Sequence, residues 1–124
     1  MLATLVAAVA ACGPWHGQVA GHYVGEALSS GELQAVDTWI EPTPRGLAGR
    51  YVLHEPTRQV EGTLEPLGDE GCDTALFRWT DVYGTGLLRL RFHPQKRCFE
   101  GSWGTVTIVP SLTYTSCARA PVTS

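Results

Sequence analysis

A chain of 124 residues with a formal net charge of −3 is sized for one domain with a modest core. Its weak acidity gives nucleic acid no electrostatic reason to bind. The 44% hydrophobic content, with four Trp, four Tyr and three Phe, excludes a disordered chain, while 14 Gly and 8 Pro among the apolar runs suit many turns rather than a helical bundle.

The first element is Met1 to Ala11, an uncharged run of apolar and small residues. It is too short to span a bilayer as a helix and about as long as the apolar region of a signal peptide. The expected organisation is a signal peptide over 1–11, a linker over 12–18, a single β domain over 19–118 and a tail over 119–124. The competing use of the first segment is as a first strand. Val9-Ala10-Ala11-Cys12 resembles the lipobox of bacterial lipoproteins, in which an aliphatic residue and two small ones precede the cysteine that is lipidated. The resemblance covers four residues and implies a bacterial cell-envelope protein, with Cys12 as lipidation site and the membrane as a partner.

Cys12, Cys72, Cys98 and Cys117 allow two disulfides in three connectivities, and no Cys-x-x-Cys spacing points to zinc. Antiparallel register about Gly84 puts Cys72, before one strand, near Cys98 at the start of the strand after next. The spacing therefore predicts a Cys72–Cys98 disulfide and an oxidising compartment. Cys117 then has Cys12 as the partner of a terminal clasp, unless Cys12 carries lipid.

Val19 to Leu28 reads as a strand ending in the turn Ser29-Ser30-Gly31-Glu32. Leu33 to Ile40 follows, with Val36, Thr38 and Ile40 on one face and Leu33, Ala35, Asp37 and Trp39 on the other. Pro42, Pro44 and Gly46 break the chain before the strand Leu47 to His54. Val60 to Glu65 alternates apolar and polar residues, and Gly68 to Asp73 is a polar loop. Leu76 to Trp103 then holds three strands. Phe77 and Trp79 share a face in the first, Leu88, Leu90 and Phe92 in the second, and Phe99, Gly101 and Trp103 in the third. Their connections are expected at Tyr83-Gly84-Thr85-Gly86 and His93 to Arg97. Gly104 to Val109 continues extended, and Leu112 to Cys117 is the last strand.

About eight short strands without a helical run make an all-β antiparallel meander, which hides its edges by closing into an up-and-down barrel like those of lipocalins and avidins. Two packed sheets are the alternative. The glycine-led strands and the Asp-x-Tyr-Gly hairpin resemble small exported bacterial domains of uncharacterised function, a resemblance that carries over no site residues.

No catalytic set emerges. His16, His22, His54 and His93 lack metal-ligand spacing and fall at strand ends and turns, where solvated histidines are ordinary. Asp69, Glu70 and Asp73 offer calcium-type oxygens without the order of a calcium loop. There is no nucleophile elbow and no phosphate-cradling loop followed by a helix. No cofactor and no metal are expected. Arg78, Arg89 and Arg91 point outward on adjacent strands and form a basic patch unless Glu61, Glu65 or Glu100 neutralises it. Tyr51, Trp79 and Trp103 would line a ligand cavity if the barrel is too wide to be filled.

The expected function is a non-catalytic binding domain for an unknown small molecule or protein. The alternative is an inhibitor or structural module with a filled core and recognition loops at Pro42 to Gly46 and Gly68 to Asp73. An enzyme is the weakest expectation, because no set of titratable groups converges in the sequence.

Overall fold

The period-two alternation becomes eight strands in the computed structural model, which describes residues 12–105 and 111–119. They are β1 (Gly21–Ser29), β2 (Glu32–Thr43), β3 (Gly46–His54), β4 (Gln59–Asp69), β5 (Thr74–Asp81), β6 (Gly84–His93), β7 (Cys98–Trp103) and β8 (Leu112–Ala118). Each pairs antiparallel with the next, and β8 returns to β1 from Tyr23 opposite Ala118 to Ala27 opposite Tyr114. The meander is thus a closed barrel, the solution that removes sheet edges altogether.

Side-chain alternation decides what fills it. On β6, Leu88, Leu90 and Phe92 are buried while Arg89 and Arg91 are exposed. Phe77 and Trp79 do the same on β5, and Val36, Thr38 and Ile40 on β2. Each large apolar side chain taken from water stabilises the fold by roughly 1.5–3 kcal/mol.

Two turns differ from expectation. The β5–β6 connection is Val82-Tyr83, and Gly84 and Gly86 belong to β6. Gly86 is needed for close approach: a Cβ there would lie 2.1 Å from the Gly104 carbonyl oxygen and 2.8 Å from the Trp79 indole nitrogen. The break expected at Pro42 falls instead at Pro44-Arg45, because Pro42 is exposed within β2. The Ser30-Gly31 turn stands as read, with both residues left-handed at φ 55° and 81°, the geometry of a two-residue hairpin.

The barrel's two ends are unlike. One end gathers the β2–β3, β4–β5 and β6–β7 turns, and the segment before β1 closes it. That segment holds a 3-10 turn, His16–Val19, and is not the linker expected over 12–18. Trp15 and Val19 are buried, and Trp15 lies 6.0 Å from Phe92 between ring centroids. Tyr23 Oη donates to the Val19 carbonyl at 2.6 Å, and His16 bonds Asp69 at 2.8 Å. Below this plug, Tyr23, Phe92, Phe99 and Tyr114 pack ring against ring at centroid distances from 4.9 to 6.1 Å. They form a solid floor across the barrel.

The cysteines follow this architecture rather than the expected Cys72–Cys98 pairing. The disulfides are Cys12–Cys72 and Cys98–Cys117. Strand β8 sets Cys117 directly opposite Cys98 on β7, which takes Cys98 out of reach of the β4–β5 loop. Cys72 in that loop then fastens the plug through Cys12, so the Cys12–Cys117 clasp does not form either. A sulfur in a disulfide has no valence for a thioether, so the pairing and lipidation of Cys12 are exclusive states. Val9, Ala10 and Ala11 of the lipobox-like run lie outside the described residues, as do the signal-peptide segment 1–11, positions 106–109 of the extended run with the following position 110, and positions 120–124 of the tail.

Candidate binding cup

At the opposite end the described residues leave the barrel unfilled. A cavity of about 190 Å³ opens there among the β1–β2, β5–β6 and β7–β8 ends. Tyr51, Trp79 and Trp103, the three residues expected to line a ligand site, are all in its wall. Ala27, Leu53 and Leu88 add apolar surface, and Ser29, Ser30, Asp81, Tyr83 and Thr105 bring polar groups. Its size is below the roughly 300–1,000 Å³ of drug-sized pockets, so it fits a small molecule or the head of a larger one.

Local chemistry holds the aromatic walls. Tyr51 lies flat against Gly62 on β4, where a Cβ would meet the ring carbon Cζ at 2.0 Å. Its hydroxyl donates to Asp81 Oδ2 at 2.6 Å. Burial first, and then this bond to a carboxylate, push the Tyr51 phenol far above its ordinary range. Asp81 Oδ1 accepts the Tyr83 backbone N–H at 2.8 Å, which closes the β5–β6 turn. Trp79 Nε1 donates to the Gly104 carbonyl at 2.8 Å and Trp103 Nε1 to the Leu28 carbonyl at 2.9 Å. The two indoles stand 5.5 Å apart with their planes at 88°. Tyr83 Oη donates to Glu55 at 2.6 Å, and the Arg58 guanidinium lies over the Tyr83 ring at 5.2 Å.

Asp81 and Tyr83 were absent from the expected site, although parity marks the first: Phe77, Trp79 and Asp81 fall on the same face of β5. Tyr83 carries no such signal, because it lies in the turn.

The outer wall holds a second cluster that sequence spacing did not reveal. His22 on β1 and His54 on β3 both reach Asp37 on β2 between them, Nε2 to Oδ1 at 2.6 Å and Nε2 to Oδ2 at 2.7 Å. A carboxylate only accepts, so each imidazole donates from Nε2. His54 Nδ1 is then the acceptor for the Gln59 amide at 3.2 Å. His22 stacks on Trp39 at 4.6 Å and 5°, and Arg50 covers the same indole at 4.0 Å. Partial burial alone would raise the Asp37 carboxyl, but the hydrogen bonds from His54 and His22 outweigh it and hold the group below the usual range. The unfolded chain therefore binds the more protons in that window. Stability from Asp37 is complete above the ordinary carboxylate pKa, about 3.9, and is lost as pH falls through the lower folded value. Asp37→Asn is expected to flatten the decline of the urea midpoint below pH 4, and an unchanged acid slope would contradict this geometry.

The outward arginines meet the acidic loop. Arg89 Nε donates to Glu70 at 2.6 Å and Arg91 Nε to Asp73 at 3.3 Å, while Asp69 holds His16. The neutralising carboxylates are thus mainly those of the loop Gly68 to Asp73 rather than the three expected from neighbouring strands. Arg78 stands opposite Glu65, and Glu100 bonds His93 at 3.0 Å. Arg78, Arg89 and Arg91 do share an exposed outer face, but two of the three already have anionic partners. Among the described residues no group of three or more His, Cys, Asp or Glu is placed to hold a metal ion.

No protein-family model, curated protein or solved structure matches this chain.

Proposed function

We propose that the chain is an exported, non-catalytic binding barrel whose open end takes a small, largely apolar ligand or ligand head. One observation carries this reading: the barrel end away from the aromatic floor opens into a cup of about 190 Å³ walled by Tyr51, Trp79 and Trp103. A module working only through its loops has no need of such a space, and a filled interior would add the dispersion contacts the cup forgoes. Export is supported by the two disulfides, the chemistry of an oxidising compartment, together with the signal-like first segment. The Cys12–Cys72 bond favours a released form over one anchored through lipid at Cys12.

Cyclohexanol is a suitable neutral probe, being compact and mostly apolar with one hydroxyl. A saturable change in tryptophan emission on titration is expected. A strictly linear response to both cyclohexanol and benzyl alcohol would remove the proposal.

A further inference from the structure

The hydrogen bonds around the cup use up the donors of its aromatic walls, and what they leave selects a ligand class. Both indole N–H groups in its wall are already given to backbone carbonyls, Trp79 to Gly104 and Trp103 to Leu28. Both phenol hydrogens are likewise given to carboxylates, Tyr51 to Asp81 and Tyr83 to Glu55. What the aromatic walls still offer is acceptor lone pairs and π surface, beside the Asp81 charge and the hydroxyls of Ser29 and Ser30.

Among the described residues no Lys, Arg or His lines the cup and no cation pairs with Asp81. The nearby Arg58 is turned to Glu55 at 3.5 Å and to the Tyr83 ring. That contact shows the rim ring already serving as a face for a positive charge. An anionic ligand would meet an uncompensated carboxylate with few donors to receive it. A neutral apolar ligand leaves that carboxylate with its Tyr51 and Tyr83 donors but supplies no counter-charge.

We infer that the cup binds a methylated ammonium group, with Asp81 as counter-charge and Tyr51, Trp79, Trp103 and Tyr83 as its aromatic walls. The assignment rests on the binding-barrel reading and names its ligand class. A quaternary ammonium carries its charge on an apolar surface and makes no N–H bonds. It therefore suits a site with aromatic faces, near-perpendicular indoles and a single negative charge. The cup's volume is that of a head group rather than of a whole lipid. Free choline-like solutes and phosphocholine lipid heads share this chemistry.

The test compares choline with 3,3-dimethylbutan-1-ol, its neutral isostere, by tryptophan emission on the intact disulfide-bonded protein. Choline is expected to bind at least about tenfold more tightly. Asp81→Asn is expected to abolish that preference. Binding of cyclohexanol without binding of choline, or equal affinity for choline and its isostere, overturns the inference and leaves the container standing. Failure of all these probes overturns both. Persistence of the preference in a folded Asp81→Asn variant overturns the role given to Asp81; the wild-type comparison decides the ligand class without any variant. Co-sedimentation with phosphatidylcholine vesicles but not with phosphatidylglycerol vesicles assigns the group to a lipid head. Choline binding without co-sedimentation assigns it to a free solute.

Discussion

Replacing Cys12 and Cys72 together by serine is expected to lower stability by about 4 kcal/mol, the chain-entropy value for a bridge between residues 60 apart in sequence. For a domain whose total stability is typically about 5–15 kcal/mol, this is a large fraction and corresponds to a fall in Tm of roughly 15 °C. The bridge also has a position that makes its loss specific. It fastens the segment carrying Trp15 and Val19 to the β4–β5 loop, and among the described residues the other ties of that segment are the His16–Asp69 bond, the Tyr23–Val19 bond and apolar contact. The expected result is a folded barrel whose plug opens before the strands do, seen as a red shift of Trp15 emission below the main thermal transition. The Cys98–Cys117 bridge closes a shorter stretch, 19 residues, between strands that are already paired, so removing it should cost about 3 kcal/mol and leave the plug in place. A double serine variant at Cys12 and Cys72 that melts within two or three degrees of the wild type, roughly the effect of a 0.5 kcal/mol change, would contradict the assigned pairing.

Gly62→Ala is expected to damage the cup directly. The new Cβ would lie 2.0 Å from Tyr51 Cζ and 2.3 Å from its hydroxyl oxygen, far inside contact distance. The ring has two responses. It stays, with strain of about 1–3 kcal/mol as in other overpacked cores, or it swings into the cup and gives up the 2.6 Å bond to Asp81. The first response lowers stability, and the second also fills the space the ligand needs and reduces binding of cyclohexanol. The cost should shrink when Tyr51 is also replaced by Leu, because the clash and the substitution share one partner. Additive costs in that double-mutant cycle would mean that Tyr51 does not lie against Gly62.

Much of the barrel was legible because its pattern is local. Alternation along Leu88, Leu90 and Phe92, and along Phe77 and Trp79, sets the inner face strand by strand. The Ser30-Gly31 turn sets the first register, since two left-handed residues there admit a two-residue hairpin. The three cup residues were legible for the same reason: each is a large aromatic on an inward parity. Asp81 obeys that parity too, but a carboxylate beside a turn reads first as a turn residue. The disulfides were not legible, because Cys98 has a strand on either side and local spacing describes only one of them. Pairing with β8 depends on closure, a property of all eight strands. The His22–Asp37–His54 cluster is of the same kind, spread over three strands and brought together by two registers. The plug escaped notice because Gly13-Pro14-Trp15-His16-Gly17 has loop composition. Its burial comes from the disulfide and from Trp15 meeting Phe92, neither of which is local.

The central claim is that this barrel is solid at one end and hollow at the other. The four tryptophans report on it from distinct places: Trp79 and Trp103 in the cup wall, Trp15 in the plug, and Trp39 on the outer face between His22 and Arg50. The most direct measurement is the indole N–H region of a proton–nitrogen correlation spectrum during titration with cyclohexanol. Saturable shifts at Trp79 and Trp103, with Trp15 and Trp39 unmoved, are predicted. Saturable shifts confined to Trp15 or Trp39, or none at all, would contradict it.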